Sequence, residues 1–133
     1  MSNKQLQLVT FEQAKKLAEI FTYIDNTHSH LCDKAYNDKG ELYDIFTNMQ
    51  PLKPRCYVPT TALALKWLRD EKKIFISTRP SFPKLEFQID CLYQEAKLEF
   101  SICEIEQKRF YIYEEAESAG LDYALDYLLK QKS

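Results

Sequence analysis

From Phe11 the apolar positions recur at helical spacing, at Phe11, Ala14, Leu17, Ala18 and Phe21, with Glu12, Lys15, Lys16 and Glu19 off the stripe. Thr10 and Gln13 frame the start as a capping box, in which the hydroxyl accepts from the N3 amide and the N3 side chain reaches back. The pattern predicts a first helix over 11–21 and a polar loop over 22–30. Two short β-like runs, 31–36 and 41–46, flank the turn sequence Asn37-Asp38-Lys39-Gly40, so a hairpin is expected. Pro51, Pro54 and Pro59 make 47–59 an irregular, extended connection.

Thr60 or Thr61 caps a second helix, Ala62-Leu63-Ala64-Leu65-Lys66-Trp67-Leu68-Arg69, which is apolar almost all round and is expected to be covered on two sides. Residues 74–77 read as a strand that stops near Pro80 and Pro83. The clearest β signal follows. Leu85, Phe87, Ile89, Cys91 and Tyr93 alternate with polar residues, and Ala96, Leu98, Phe100 and Ile102 do the same after a short turn at Gln94-Glu95. Period-two alternation on both sides of a turn predicts an antiparallel hairpin with one buried face. A two-residue turn sets Cys91 opposite Leu98, Ile89 opposite Phe100 and Asp90 opposite Glu99, with Cys91 inside and Cys103 outside. A last helix over 113–129 carries Ala116, Gly120, Leu121, Ala124, Leu125, Tyr127 and Leu128 on one face, with Glu115, Ser118, Asp122 and Asp126 opposite. The expected fold is a single α+β domain over 1–133, with about five mainly antiparallel strands and three helices packed largely on one face.

Composition narrows the chemistry. The 133 residues include only Gly40 and Gly120. Phosphate-cradling loops need several glycines, so neither a dinucleotide fingerprint nor a Walker loop can be written. Gly40 falls where a hairpin needs φ > 0. Gly120 falls inside the last helix, where it costs about 1 kcal/mol against alanine, so close approach of another element, the tryptophan helix, is expected there. No serine lies in a nucleophile elbow, and His28 and His30 are the only bases available to four cysteines. No catalytic residue and no cofactor is therefore assigned. The chain opens Met-Ser-Asn-Lys-Gln without an apolar run, and nothing in it is long and apolar enough to span a membrane. Cytoplasmic location with free thiols is the expectation.

Net charge is −2, unevenly spread. Residues 53–84 hold eight bases against two acids, whereas 85–133 hold five bases against eleven acids. Arg55, Lys66, Arg69, Lys72 and Lys73 are the candidate contacts to a nucleic acid. At a pI near 5.7, mutual neutralisation of the two segments is favoured over binding to phosphate backbones. Asp90 opposite Glu99 would repel, so either that register is off or a cation such as Arg or Lys from 53–84 lies over the pair. Trp67 reads as core rather than as a stacking platform. His28, His30 and Cys32, with Cys56 as a fourth ligand, are the only cluster with metal-ligand chemistry, and the spacing fits no zinc module. A solvated loop is the favoured reading there.

Three stretches carry a resemblance: Val9-Thr10-Phe11-Glu12-Gln13-Ala14-Lys15-Lys16-Leu17, Val58-Pro59-Thr60-Thr61-Ala62-Leu63-Ala64-Leu65-Lys66-Trp67-Leu68-Arg69, and Tyr113-Glu114-Glu115-Ala116-Glu117-Ser118-Ala119-Gly120-Leu121. In order and spacing they resemble a family of small proteins of unknown activity from phages, prophages and mobile elements of Bacteroides-type gut bacteria. Relatives carry Ser or Thr before the tyrosine of the last stretch, where this chain has Ile112. The resemblance implies an α+β domain in a mobile-element context, and it transfers no site residue. Three functions are carried forward. The first is a non-enzymatic accessory protein that binds a protein partner, the second a nucleic-acid-associated protein using 53–84, and the third a metal-binding domain at His28, His30 and Cys32.

Overall fold

The computed structural model describes residues 7–20, 34–37, 39–44, 56–82 and 85–132. It is α+β, with four helices and six short strands among the described residues, against the three helices and about five strands expected. In chain order these are α1 (Phe11–Ile20), β1 (Lys34–Tyr36), β2 (Leu42–Asp44), β3 (Cys56–Tyr57), α2 (Thr61–Lys72), β4 (Ile74–Ser81), β5 (Glu86–Tyr93), β6 (Leu98–Ser101), α3 (Ile102–Glu106) and α4 (Tyr113–Lys132). The strands form two antiparallel three-stranded sheets, ordered β2-β1-β3 and β4-β5-β6. The chain divides into two compact units, one of Met1–Thr60 with Leu125–Ser133 and one of Thr61–Ala124.

In the first unit the capping box forms as the residue types require. The Thr10 N–H donates to Gln13 Oε1 at 2.9 Å, and the Gln13 N–H donates to Thr10 Oγ1 at 3.1 Å. Ala14, Leu17 and Ile20 then bury one side of α1. Thr10→Ala is expected to cost about 1 kcal/mol, read as a fall in the urea midpoint with unchanged slope; no change would mean that the cap contributes nothing. The β1–β2 hairpin turns where expected. Asn37 Oδ1 accepts from the N–H groups of Lys39 and Glu41 at 2.9 and 3.0 Å, and Gly40 takes φ +80°. A side chain there would also strike the Phe11 ring, whose Cδ2 lies 3.0 Å from an ideal Cβ. β3, inside the stretch read as irregular, pairs with β1, and Val58 extends the pairing by donating to the Lys34 carbonyl.

In the second unit α2 buries Thr61, Ala64, Trp67 and Leu68, while Ala62 is exposed and Leu63 and Leu65 are half-exposed. One stripe is covered rather than two. β4 extends past the expected 74–77 through Pro80 and ends at Ser81, between the two prolines expected to stop it; β4 is an edge strand, and an edge tolerates a missing N–H. The β5–β6 register differs from the expected one by two residues: Tyr93 faces Leu98, Cys91 faces Phe100, Leu92 faces Glu99 and Asp90 faces Ser101. The connection is four residues long, and Lys97 adopts φ +57° to close it. An even shift keeps every side chain on its face, so Ile89, Cys91 and Tyr93 are buried as the alternation requires.

Residues 102–106 depart from the strand expectation. They form one helical turn, α3, ended by Gln107 in the left-handed region. Adjacent burial of Ile102 and Cys103 fits a helix and not a strand, and it places Cys103 inside rather than outside. α4 begins at Tyr113 without a Ser or Thr cap, its first turn closed by the Ala116 N–H on the Ile112 carbonyl at 3.1 Å. Its buried face is Ala116, Gly120, Leu121, Ala124 and Leu125. Gly120 is a contact point as expected, with a different neighbour. An ideal Cβ there would lie 2.7 Å from Ile76 Cγ2 and 3.0 Å from Ile89 Cγ2, so the closely packed element is the β4–β5 sheet and not the tryptophan helix.

Candidate functional site

The largest exposed apolar groups of the second unit gather around one junction. The Phe87 N–H donates to the Phe110 carbonyl at 2.8 Å, so the chain after α3 returns beside the start of β5. Phe82 and Leu85, in the β4–β5 loop, stand 78% and 60% exposed, and Tyr111 on the returning segment stands 62% exposed. Ile112 and Tyr113 beside it are exposed too. Tyr113 meets Phe87 edge-on at 5.7 Å between centroids, which ties the returning segment to the strand. Its hydroxyl donates to Glu117 Oε2 at 3.4 Å; burial first, and then the Glu117 charge, hold the phenol above its usual range. Five large apolar side chains on two bridged segments form a patch, whereas single exposed apolar residues are ordinary. Acids flank it at Glu114 and Glu115, both exposed.

The sheet face turned away from Gly120 is polar at one end and apolar at the other. Phe75 and Leu92 line an open depression of about 570 Å³ there together with Ser77, Asp90 and Glu99. Arg79 Nε donates to Asp90 Oδ2 at 2.6 Å, the expected cation from the basic segment. Asp90 and Glu99 are not opposite each other in the observed register, so no carboxylate pair forms across the strands. Beyond Arg79 the face continues to Gln88 and Glu86, where Arg109 Nη1 reaches Glu86 Oε2 at 3.4 Å.

Four predicted nucleic-acid residues, Lys66, Arg69, Lys72 and Lys73, come together at the C-terminal end of α2, where cations suit the helix dipole. Lys66 Nζ holds Asp70 Oδ2 at 2.5 Å, Arg69 Nε lies 3.9 Å from Asp70 Oδ1, and Lys73 Nζ donates to the Asp70 carbonyl at 3.2 Å. The hydrogen bond from Lys66, followed by the charges of Lys66, Arg69 and Lys73, keeps the Asp70 carboxyl below its usual range. Arg55 lies outside the described residues, so its relation to this cluster is not part of the geometry.

His28, His30 and Cys32 also lie outside the described residues, and Cys56 is described only as a backbone position of β3. Among the described residues no three metal-ligating side chains converge. Cys91 and Cys103 are free, buried thiols. Burial first, and then the Asp90 charge, push the Cys91 thiol up to about 12. Because the folded value lies above the unfolded one, the associated stability is complete below pH 9 and is lost as pH rises toward 12. Native Cys91 is expected to resist iodoacetamide at pH 8 and to react once urea unfolds the chain, followed by mass spectrometry of the peptide; equal rates would show an open thiol.

Sequence reading anticipated the burial of Trp67, and of its two alternatives at Asp90 both occur: the register is shifted and a cation, Arg79, lies on the carboxylate. It missed the apolar patch. Phe82 lies between two prolines, Leu85 falls in the inward alternation, and Tyr111 and Ile112 belong to no predicted element. Comparison with known protein families, with curated proteins and with solved structures finds no match.

Proposed function

We propose that this chain is a non-enzymatic accessory protein of a phage or mobile element that works in the cytoplasm by binding a protein partner. The supporting observation is the exposed apolar patch of Phe82, Leu85, Tyr111, Ile112 and Tyr113. Apolar surface of this kind, rimmed by charged residues, is what protein interfaces bury. The mobile-element context rests on the three stretches of sequence resemblance. The test is affinity capture from a host lysate with the wild-type chain and with the Phe82→Ser/Tyr111→Ser variant, both checked by circular dichroism. A protein retained by the first and lost with the second supports the reading. If no captured protein depends on these two side chains, the reading fails.

A second reading is nucleic-acid binding at the end of α2. It is favoured by three bases, Lys66, Arg69 and Lys73, arranged around Asp70, with Lys72 in the last turn of the same helix. A gel-shift titration at low ionic strength decides it. Salt-sensitive binding that weakens in Arg69→Ala/Lys73→Ala supports it, and absence of binding removes it.

A further inference from the structure

β4 is the outer strand of its sheet. β5 covers one side, and among the described residues no hydrogen bond reaches the β4 backbone from the other. The pairing pattern fixes which groups are left open. The Gln94 N–H donates to the Lys73 carbonyl at 3.1 Å, so residues 73 and 94 are a hydrogen-bonded pair. Alternation then makes Phe75/Leu92, Ser77/Asp90 and Arg79/Gln88 the bonded pairs within the ladder. The backbone groups of Ile76, Thr78 and Pro80 therefore point outward. Proline, with no N–H, stands at an outward position, where it removes nothing from the β4–β5 ladder. Ser77, Arg79 and Pro80 are exposed, so the middle of this edge meets solvent.

We propose that β4 pairs antiparallel with β4 of a second copy of this chain, about a two-fold axis at Ser77, joining two three-stranded sheets into one of six strands. The backbone allows this register. Centred on Ser77, Ile76 lies opposite Thr78 of the second copy and the reverse holds by symmetry, which makes four hydrogen bonds from fully equipped residues. Ile74 comes opposite Pro80 only at the two ends of this ladder, whereas centring on Thr78 sets Pro80 against Ile76 and leaves Thr78 with itself as the one pair able to make both bonds. Centring on Ile76 gives no fewer backbone bonds but sets Phe75 against Ser77, so the side chains decide between these two. The side chains agree with the Ser77 register. Phe75 comes opposite Arg79 of the second copy, on the face where Asp90 already holds the Arg79 Nε, so a guanidinium meets an aromatic ring twice across the axis.

The match lies within a single strand, since β4 supplies both the ring and the cation, and this favours a second copy over a foreign strand. Pairing about a two-fold axis uses the same edge of both copies, so this contact closes at two. Of the two outer strands of this sheet β4 is the long one, eight residues against the four of β6, which runs directly into α3. Arg79 and Pro80, residue types that blunt edges against open-ended pairing, mark the end of the ladder.

Ser77 lies on the axis as a non-hydrogen-bonded pair, where opposed side chains come closest. The full-length chain is examined by light scattering, with Ser77→Lys, Ser77→Cys and a control, Lys97→Cys, in the distant β5–β6 turn. A dimer is expected for the wild type, with association at least about tenfold weaker in Ser77→Lys, where like charges face each other. Under diamide, which is reduced as two thiols are oxidised, Ser77→Cys is expected to give a disulfide between residues 77 of two chains, identified by peptide mass spectrometry. Lys97→Cys is expected to give no disulfide between residues 97. A wild-type chain that stays monomeric at submillimolar concentration overturns the proposal. So does a dimer that Ser77→Lys leaves intact while Ser77→Cys forms no 77–77 disulfide.

Discussion

Gly120→Val is expected to lower the unfolding free energy by about 3 kcal/mol or more, and Gly120→Ala by about 1–2 kcal/mol. The helix alone argues the opposite, since alanine inside a helix gains about 1 kcal/mol over glycine. The neighbours decide the sign. A Cβ at 120 would sit 2.7 Å from Ile76 Cγ2 and 3.0 Å from Ile89 Cγ2. Both atoms are short branches on Cβ of β-branched residues, held by adjacent strands, and they cannot swing aside as the end of a long side chain would. Urea unfolding followed by far-ultraviolet circular dichroism measures the loss. Ile76→Ala should cost less in the Gly120→Ala background than in the wild type, because it removes the atom that clashes. If Gly120→Ala stabilises the chain, α4 does not touch the sheet at this point.

Trp67→Ala is expected to cost about 3–5 kcal/mol, the range for truncating a large buried aromatic. Trp67 is 3% exposed and shares the buried stripe of α2 with Ala64 and Leu68. Denaturation must be followed by circular dichroism, because Trp67 is the only tryptophan and its removal abolishes that fluorescence. Trp67→Phe should lose less than half as much, since most of the apolar area remains. Wild-type emission should be blue-shifted and unchanged by added DNA or RNA. A loss below about 1 kcal/mol, with emission quenched by nucleic acid, would instead mark a surface stacking residue and strengthen the second functional reading.

Elements whose signal is local were legible in the sequence. Thr10 and Gln13 specify their reciprocal bonds within four residues, and Asn37 and Gly40 specify their turn in the same way. Features set by distant neighbours were not. Whether Pro80 ends a strand depends on whether that strand is central or at an edge. The partner of Gly120 depends on which element the last helix lies against. α3 was hidden because Ile102 continues the period-two pattern of β6, and nothing in a five-residue stretch separates a helical turn from a strand end. The apolar patch was hidden for a more general reason. Phe82, Leu85 and Tyr111 have the same chemistry as core residues, and only the fold decides which of them remain in water.

The four-residue connection between β5 and β6 has a consequence for how this chain tolerates change in length. Going from a two-residue to a four-residue turn moves the pairing of Cys91 from Leu98 to Phe100 without moving any side chain through the sheet. Insertions and deletions in this turn are therefore sorted by parity. A change of two residues exchanges one inward partner for another and leaves the apolar layer whole. A change of one residue, unless a bulge absorbs it, sends Phe100 to the wet face and Glu99 toward α4. Among natural or engineered variants of this turn, those that fold should differ in length by even numbers.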